Sequence, residues 1–373
     1  MFLALKELKK GKLRFTMIGL IIVLIAWLVF ILSGLGNGLS TLSAASIKNM
    51  DADYVVYEKG SGSTFSKSLL SESLISDIEK QSNVEEVSPF GSAMGAILNE
   101  DGSGNEDKTD IAILGINPGT FLEPKVIEGK QLDQGNQLGV LANDGLKDQG
   151  YKIGDSLALD GSMEKLKIIG FVENETYNHL PALFTTMDKW RLYKFSAPGS
   201  NNGMEDAVNA FVLQGPDVNT ETLDKEIKGI ETVSKNKAIQ GMPGYTAENG
   251  TIMMMLVFLI VISTFVIAVF FYVLTIQKTN QFGVMKAIGA SNSFIANAIV
   301  SQVFLLSLIG ILVGIALTYG TALILPEGMP FNLDVKLVVI YGVLLLLISV
   351  LSSLISVRKI TKIDPLTALG RVE

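Results

Sequence analysis

The chain has no cysteine among its 373 residues and only one histidine, His179. Without cysteine there are no disulfide staples, so any part that lies in an oxidising compartment depends on its own packed core. With one imidazole, a metal site built from several histidines is excluded. Catalytic signatures are missing as well: there is no G-x-x-x-x-G-K-[ST] to cradle nucleotide phosphates, no G-x-S-x-G, no H-E-x-x-H and no C-x-x-C. These absences argue against an enzyme. If the chain takes part in ATP-driven work, the ATP chemistry belongs to another polypeptide.

Charge is absent in a patterned way. Residues 15–33, 252–276, 294–325 and 337–357 contain no Asp, Glu, Lys or Arg. Each run approaches or exceeds the roughly 20 apolar residues that cross a ~30 Å hydrocarbon core. A hydrophobic content of 48% is too high for an ordinary soluble chain, while 18% charged residues is too many for a bare membrane bundle. The two figures are reconciled by an α+β membrane protein with four transmembrane helices and a large mixed α/β extracytoplasmic domain inserted between helices 1 and 2. The expected division is 1–40 for an interfacial helix and the first span, 41–249 for the extracytoplasmic domain, and 250–373 for spans two to four with a cytoplasmic helix and tail. The first run is longer than the 7–15 residues of a secretory leader and three more spans follow, so it reads as a span, although TLSAAS at 41–46 has the small residues of a cleavage site.

Orientation follows from where the cations lie. Lys6, Lys9, Lys10, Lys12 and Arg14 precede the first run, Lys278 and Lys286 separate the second from the third, and Arg358, Lys359, Lys362 and Arg371 follow the last. Lys and Arg near span ends mark the cytoplasmic side, which places both termini there in a multi-pass protein of the cell membrane. With a formal charge of −7 for the whole chain, the insert is left strongly acidic. That disfavours nucleic acid as a partner. In the first ten residues Met1, Leu5 and Leu8 share a helical face opposite Lys6, Lys9 and Lys10, the pattern of a short helix lying on membrane lipid.

Within the insert, residues 54–60, 85–98, 110–116, 166–172 and 210–215 have the β-branched and aromatic content of strands. Residues 68–81 and 221–233 have helical apolar spacing. The small-xxx-small pairs Gly34/Gly38 and Gly310/Gly314 suit close helix approach and are candidates for a subunit contact.

TIQKTNQFGVMKAIGASNSFI, residues 275–295, lies on the basic side between two spans. Phe282, Met285 and Ile288 recur every third residue before Gly289, predicting a short amphipathic helix over about 279–293. Such a helix rests on lipid or fills a groove on a partner. The stretch Gln281-Phe282-Gly283-Val284-Met285-Lys286-Ala287-Ile288-Gly289-Ala290 resembles the coupling segment of the FtsX and MacB class of ABC transporter permeases. IDPLTALG at 363–370 is similar to the closing element of that class, with Gly370 where arginine is common. The resemblance extends to VIEGKQL at 126–132 and GDSLAL at 154–159 and covers essentially the whole chain.

The resemblance implies a permease subunit whose motion is driven by a separate ABC ATPase, acting as a homodimer. Phe282, Gly283, Met285, Lys286, Ile288 and Gly289 would be the coupling contacts. Within the class the chain is most similar to haem-exporter permeases, which implies haem as the transported substrate, no permanently bound cofactor and no resident metal. Export of another amphiphile (an antimicrobial peptide, a glycolipid or a lipoprotein) and FtsX-like control of a cell-wall hydrolase are the alternative readings. In a chain without cysteine, Tyr, His and Met are the side chains able to reach a haem iron. Near the expected outer boundary these are Tyr177, His179 and Tyr245, with Tyr177 and Tyr245 paired on the strength of the resemblance. Glu175 and Glu248 are polar neighbours, and Met253, Met254 and Met255 the apolar lining.

Overall fold

The computed structural model describes residues 12–98, 108–135, 138–161, 165–197, 199–326 and 329–361. The amphipathic start at 1–10 and the closing element at 363–370 lie outside the described residues. The chain forms two units, one comprising the residues up to Gly38 and from Gly250, the other Leu39–Asn249.

The first apolar run becomes α1 (Lys12–Asn49), which keeps helical hydrogen bonding until Ala44, where φ −147° and ψ 22° break it. In the inserted unit the elements run β1 (Tyr54–Glu58), β2 (Leu70–Ser71), α2 (Ile75–Ile78), β3 (Glu86–Leu98), β4 (Lys108–Ile116), β5 (Val126–Gly129), β6 (Gly139–Asn143), α3 (Gly145–Asp148), β7 (Ser156–Leu159), β8 (Lys165–Val172), β9 (Thr176–Tyr177), β10 (Leu180–Thr186), α4 (Met187–Lys194), β11 (Ala207–Val208), β12 (Ala210–Gln214), α5 (Thr220–Glu226), β13 (Ile230–Ser234) and α6 (Lys235–Gln240). Among the described residues eleven strands join one sheet along the path β13-β1-β12-β3-β4-β10-β6-β8-β5, with β7 on β3 and β8, and β9 on β10. The β4–β10 and β6–β8 pairs are parallel and the other pairs antiparallel.

The sheet is covered on both faces. Ile111 and Ile113 enter one apolar cluster, while Ala112 and Leu114 enter the other. Alternation on a strand sends successive side chains to opposite faces, and a strand buried on both sides reads as one unbroken apolar run, as residues 111–116 do. On one face α4 is seated on Gly91 and Gly115, which stand opposite each other in the β3–β4 register. A Cβ on Gly91 would come within 2.3 Å of the Trp190 ring, so only glycine leaves room for the indole. On the other face the end of α1 contributes Ala44, Ile47 and Met50.

Two predicted helices are corrected by tertiary pairing. Residues 68–81 contain β2, which pairs with β11, and Ser71 Oγ donates to Asp206 Oδ2 at 2.6 Å, so only Ile75–Ile78 remains α-helical. Residues 221–233 split at Gly229 (φ +89°), beyond which β13 pairs with β1. Local apolar spacing suited a helix in both places, but strand pairing satisfied the backbone and buried the same side chains.

The helical unit continues with α7 (Tyr245–Gln277), α8 (Thr279–Ala287), α9 (Asn292–Ala322) and α10 (Val335–Thr361). Among the described residues α1, α7, α9 and α10 are the four helices long and apolar enough to cross a membrane. Large apolar side chains such as Ile262, Phe265, Leu312 and Leu347 are exposed on them, the surface expected of helices solvated by lipid tails. Small residues bring helices together within the chain. A Cβ on Gly310 would lie 2.8 Å from Ile22, one on Gly314 2.8 Å from Ala26, and one on Gly38 2.3 Å from the carbonyl of Pro330. Both small-xxx-small pairs therefore serve the close helix approach their spacing suits, made here within the chain.

Candidate functional site

The break in α1 organises the site. A kink disrupts the hydrogen bonds of the preceding helical turn and leaves its carbonyls in need of other donors. Each carbonyl from Leu39 to Ser43 has one: Leu39 O accepts from Ser43 Oγ (3.0 Å), Ser40 O from Lys48 Nζ (2.9 Å), Thr41 O from Thr176 Oγ1 (3.0 Å), Leu42 O from the His179 amide (3.0 Å) and Ser43 O from the Asn178 amide (2.8 Å). Asn178 and His179 form the two-residue turn between β9 and β10, both with positive φ (51° and 66°). That backbone matches the twist of a tight hairpin and aims two amides at the kinked helix.

Once the turn is docked, its imidazole has few places to go. His179 Nε2 lies 3.1 Å from Ser43 Oγ and 3.1 Å from Glu248 Oε1, while Ser43 Oγ is 3.1 Å from Glu248 Oε2. Beside this trio Ser40 Oγ donates to the Tyr245 hydroxyl at 2.9 Å, and Lys48 donates to Ser40 Oγ and stands 5.5 Å from the Tyr245 ring centroid. The trio is not a nucleophile relay. Serine and carboxylate both meet the same imidazole nitrogen, whereas a relay needs them on opposite ones. A carboxylate only accepts, and Ser43 has one proton for both the Leu39 carbonyl and Glu248, so His179 Nε2 is the further donor to Ser43 and Glu248 when it carries the proton and Nδ1 holds the lone pair. Among the described residues no group of His, Cys, Asp and Glu is placed to hold a metal ion by itself.

Of the expected haem-facing residues, His179, Glu248 and Tyr245 are brought together around Ser40 and Ser43. Tyr177 is not at their surface. It is 3% exposed, packs edge-on to Phe65 with ring centroids 6.2 Å apart, and gives its hydroxyl to Ser92 Oγ at 3.3 Å. Tyr177 and Tyr245 belong to one apolar cluster, but the Tyr177 hydroxyl is turned to Ser92 inside it. Burial pushes the Tyr177 phenol up to about 12, only partly offset by Ser92. Glu175 also turns inward, where Asn49 Nδ2 donates to its Oε1 at 3.0 Å. Burial raises its pKa, with Asn49 and Ser46 pulling the other way. Met253, Met254 and Met255 are exposed on α7 in the helical unit. Sequence reasoning missed Ser40, Ser43 and Lys48. Their spacings of three and five along one helix were the available signal, hidden because TLSAAS reads as a loop or leader.

The segment that resembles a coupling region forms α8, which ends at Ala287, two residues before Gly289 (φ +97°), and is shorter than expected. Its apolar residues do not share one face. Phe282 and Gly283 are buried, with Phe282 packed among Phe15, Ile295 and Ile299, and Met285 and Lys286 are half-buried. Ile288 is 80% exposed, next to exposed Val284 and Gly289. Lys278, expected as a loop cation, is buried, with Nζ 3.3 Å from Gln302 Oε1 and 5.0 Å from the Phe15 ring centroid.

Two family models match the chain: the MacB-like periplasmic core domain over residues 15–230 and the FtsX-like permease C-terminal domain over residues 253–365. Full-length relatives include a Staphylococcus haemolyticus protein provisionally named hemin transport system permease protein HrtB, 29% identical and covering 100% of both chains. An uncharacterized ABC transporter permease of Mycobacterium tuberculosis is 22% identical, covering 99% of both. The periplasmic region of MacB from Actinobacillus actinomycetemcomitans aligns with 52% of this chain and 92% of its own at a TM-score of 0.37 and 18% identity.

Proposed function

The chain belongs to the ABC transporter permeases with a MacB-like periplasmic core and an FtsX-like C-terminal domain, and on that premise we propose that it is the membrane subunit of an exporter that removes haem from the membrane. Two copies work with a separate ABC ATPase on the cytoplasmic side, where both termini lie. Force from the ATPase enters at α8. Phe282 fastens that helix into the helical unit while Ile288 is left open to a partner, so a push on the exposed side moves the spans and does not simply slide the helix.

The observation that carries the haem reading is the imidazole of His179, held through Nε2 between Ser43 and Glu248 with Tyr245 close by. Imidazole nitrogen and phenol oxygen are both axial ligand types for haem iron. With the proton on Nε2, Nδ1 is the nitrogen free to approach iron. The relatives named for hemin transport supply the cargo.

The test is a haem titration of the purified full chain in detergent, followed at the Soret band. A saturable shift is expected, weakened about tenfold or more in His179→Ala and Tyr245→Phe, which corresponds to at least ~1.4 kcal/mol of binding. Absence of any Soret change would send the assignment to export of another amphiphile by the same machine.

A further inference from the structure

On the side of Tyr245 away from the imidazole the inserted unit has a recess of about 500 Å³, lined chiefly by Lys48, Lys235, Asn236, Gln240, Tyr245 and Asn249. Its two charged lining residues are both cations, in a chain whose formal charge is −7. Neither meets a carboxylate within ion-pair distance among the described residues. Lys48 Nζ donates to the carbonyl and the hydroxyl of Ser40, and Lys235 Nζ donates to the Met50 carbonyl. An ammonium has three donors, so one remains on Lys48 and two on Lys235. The Tyr245 hydroxyl accepts from Ser40 Oγ, which leaves its own proton to be given.

The surroundings leave both cations short of negative charge. Burial holds Lys48 and Lys235 below the ordinary lysine range, and at Lys235 the more distant Asp51 and Asp53 oppose that shift. The nearby acids are engaged elsewhere: Asp53 Oδ2 accepts from the Gly215 amide, and Glu248 accepts from Ser43 and meets His179. A half-buried ammonium without a counter-ion gains from an anion brought to it. Position then narrows the anion. Asn249 on α7 is three residues, about 4–5 Å of helix, ahead of Ile252, where the uncharged run begins. The recess therefore opens at the depth of lipid headgroups on the side of the inserted domain. Its volume, in the range of sites for organic ligands, exceeds what a bare phosphate needs.

We propose that this recess holds the phosphate of an anionic membrane phospholipid, with Lys48 and Lys235 as its charged contacts and the Tyr245 hydroxyl as a further donor. The amides of Asn236, Gln240 and Asn249 suit the polar remainder of a headgroup such as glycerol, since each both donates and accepts. A headgroup carrying its own cation is disfavoured beside two lysines. The proposal depends on the membrane spans and not on the identity of the cargo.

The experiment is native mass spectrometry of the purified full chain, released from detergent after titration with phosphatidylglycerol, with phosphatidylcholine in parallel and inorganic phosphate as competitor. Saturable retention of phosphatidylglycerol over phosphatidylcholine is expected, undiminished by millimolar phosphate. Lys48 also holds the Ser40 carbonyl, so Lys235 is the deciding position. Lys235→Gln should melt like the parent and lower the affinity for phosphatidylglycerol about fivefold, the effect of one basic residue at a membrane surface, and Lys235→Arg should restore it. Equal affinity for the two lipids, or equal retention by the parent and Lys235→Gln, would overturn the proposal. Displacement of the lipid by millimolar phosphate would overturn it too, by making this a site for the free ion. No haem is added, so lipid retention is read independently of any haem response.

Discussion

Tyr177 shows how one buried hydroxyl makes stability depend on pH. Its phenol is raised to about 12 in the folded protein against an ordinary 10.0, chiefly by burial, and Tyr57 is raised in the same direction. The unfolded chain therefore gives up the proton first as pH rises. Between pH 10 and 12 the folded state holds more protons than the unfolded one, so stability falls across that window, by about 2–3 kcal/mol for Tyr177. Melting curves on either side of the window should show this loss, and Tyr177→Phe should make the alkaline decline shallower. Glycine at 91 is a second decisive single residue. Adding one methyl there forces the buried Trp190 ring to move, so Gly91→Ala should destabilise the inserted domain by about 1–3 kcal/mol in denaturant unfolding, while leaving the chain in the membrane.

Among the elements, α8 divides its residues between anchoring and contact. Phe282 lies in the helical core, so Phe282→Ala should cost about 3–5 kcal/mol and lower the yield of folded protein. Ile288 touches little, so Ile288→Asp should leave thermal stability unchanged and uncouple ATP hydrolysis by the partner ATPase from transport, measured with the reconstituted complex. A coupled Ile288→Asp complex would remove α8 from the proposed force path. The period-three spacing of Phe282, Met285 and Ile288 identified the helix but assigned all three to one surface. The packing of the neighbouring helices, which no local pattern records, turned Phe282 inward. The α1 kink and the β9–β10 turn make the same point. Asn178 and His179 are polar residues in a short loop by sequence, and only the freed carbonyls of α1 give their amides a purpose.

For the whole molecule, the absence of cysteine is an experimental advantage. A single cysteine replacing Ile288 has no competing thiol. In intact cells it should resist a membrane-impermeant maleimide and react once the cells are opened, whereas a cysteine at the exposed Lys80 should react without opening. The reverse pattern would invert the proposed topology and detach α8 from any cytoplasmic ATPase.

The sequence by itself determined the membrane spans, the place of the insert, the mixed character of that domain and the short helix before α9. Each of these depends on a local quantity: the length of an uncharged run, the period of apolar residues, a glycine at a helix end. Tertiary structure alone decided that 68–81 and 221–233 break into strand and helix, that Tyr177 belongs to the core while His179 meets Glu248, and that Glu175 turns inward to Asn49. Those outcomes depend on which distant backbone groups remain unpaired after folding. His179 reaches its partners because α1 kinks at Ala44 and exposes carbonyls that a turn more than a hundred residues later can satisfy.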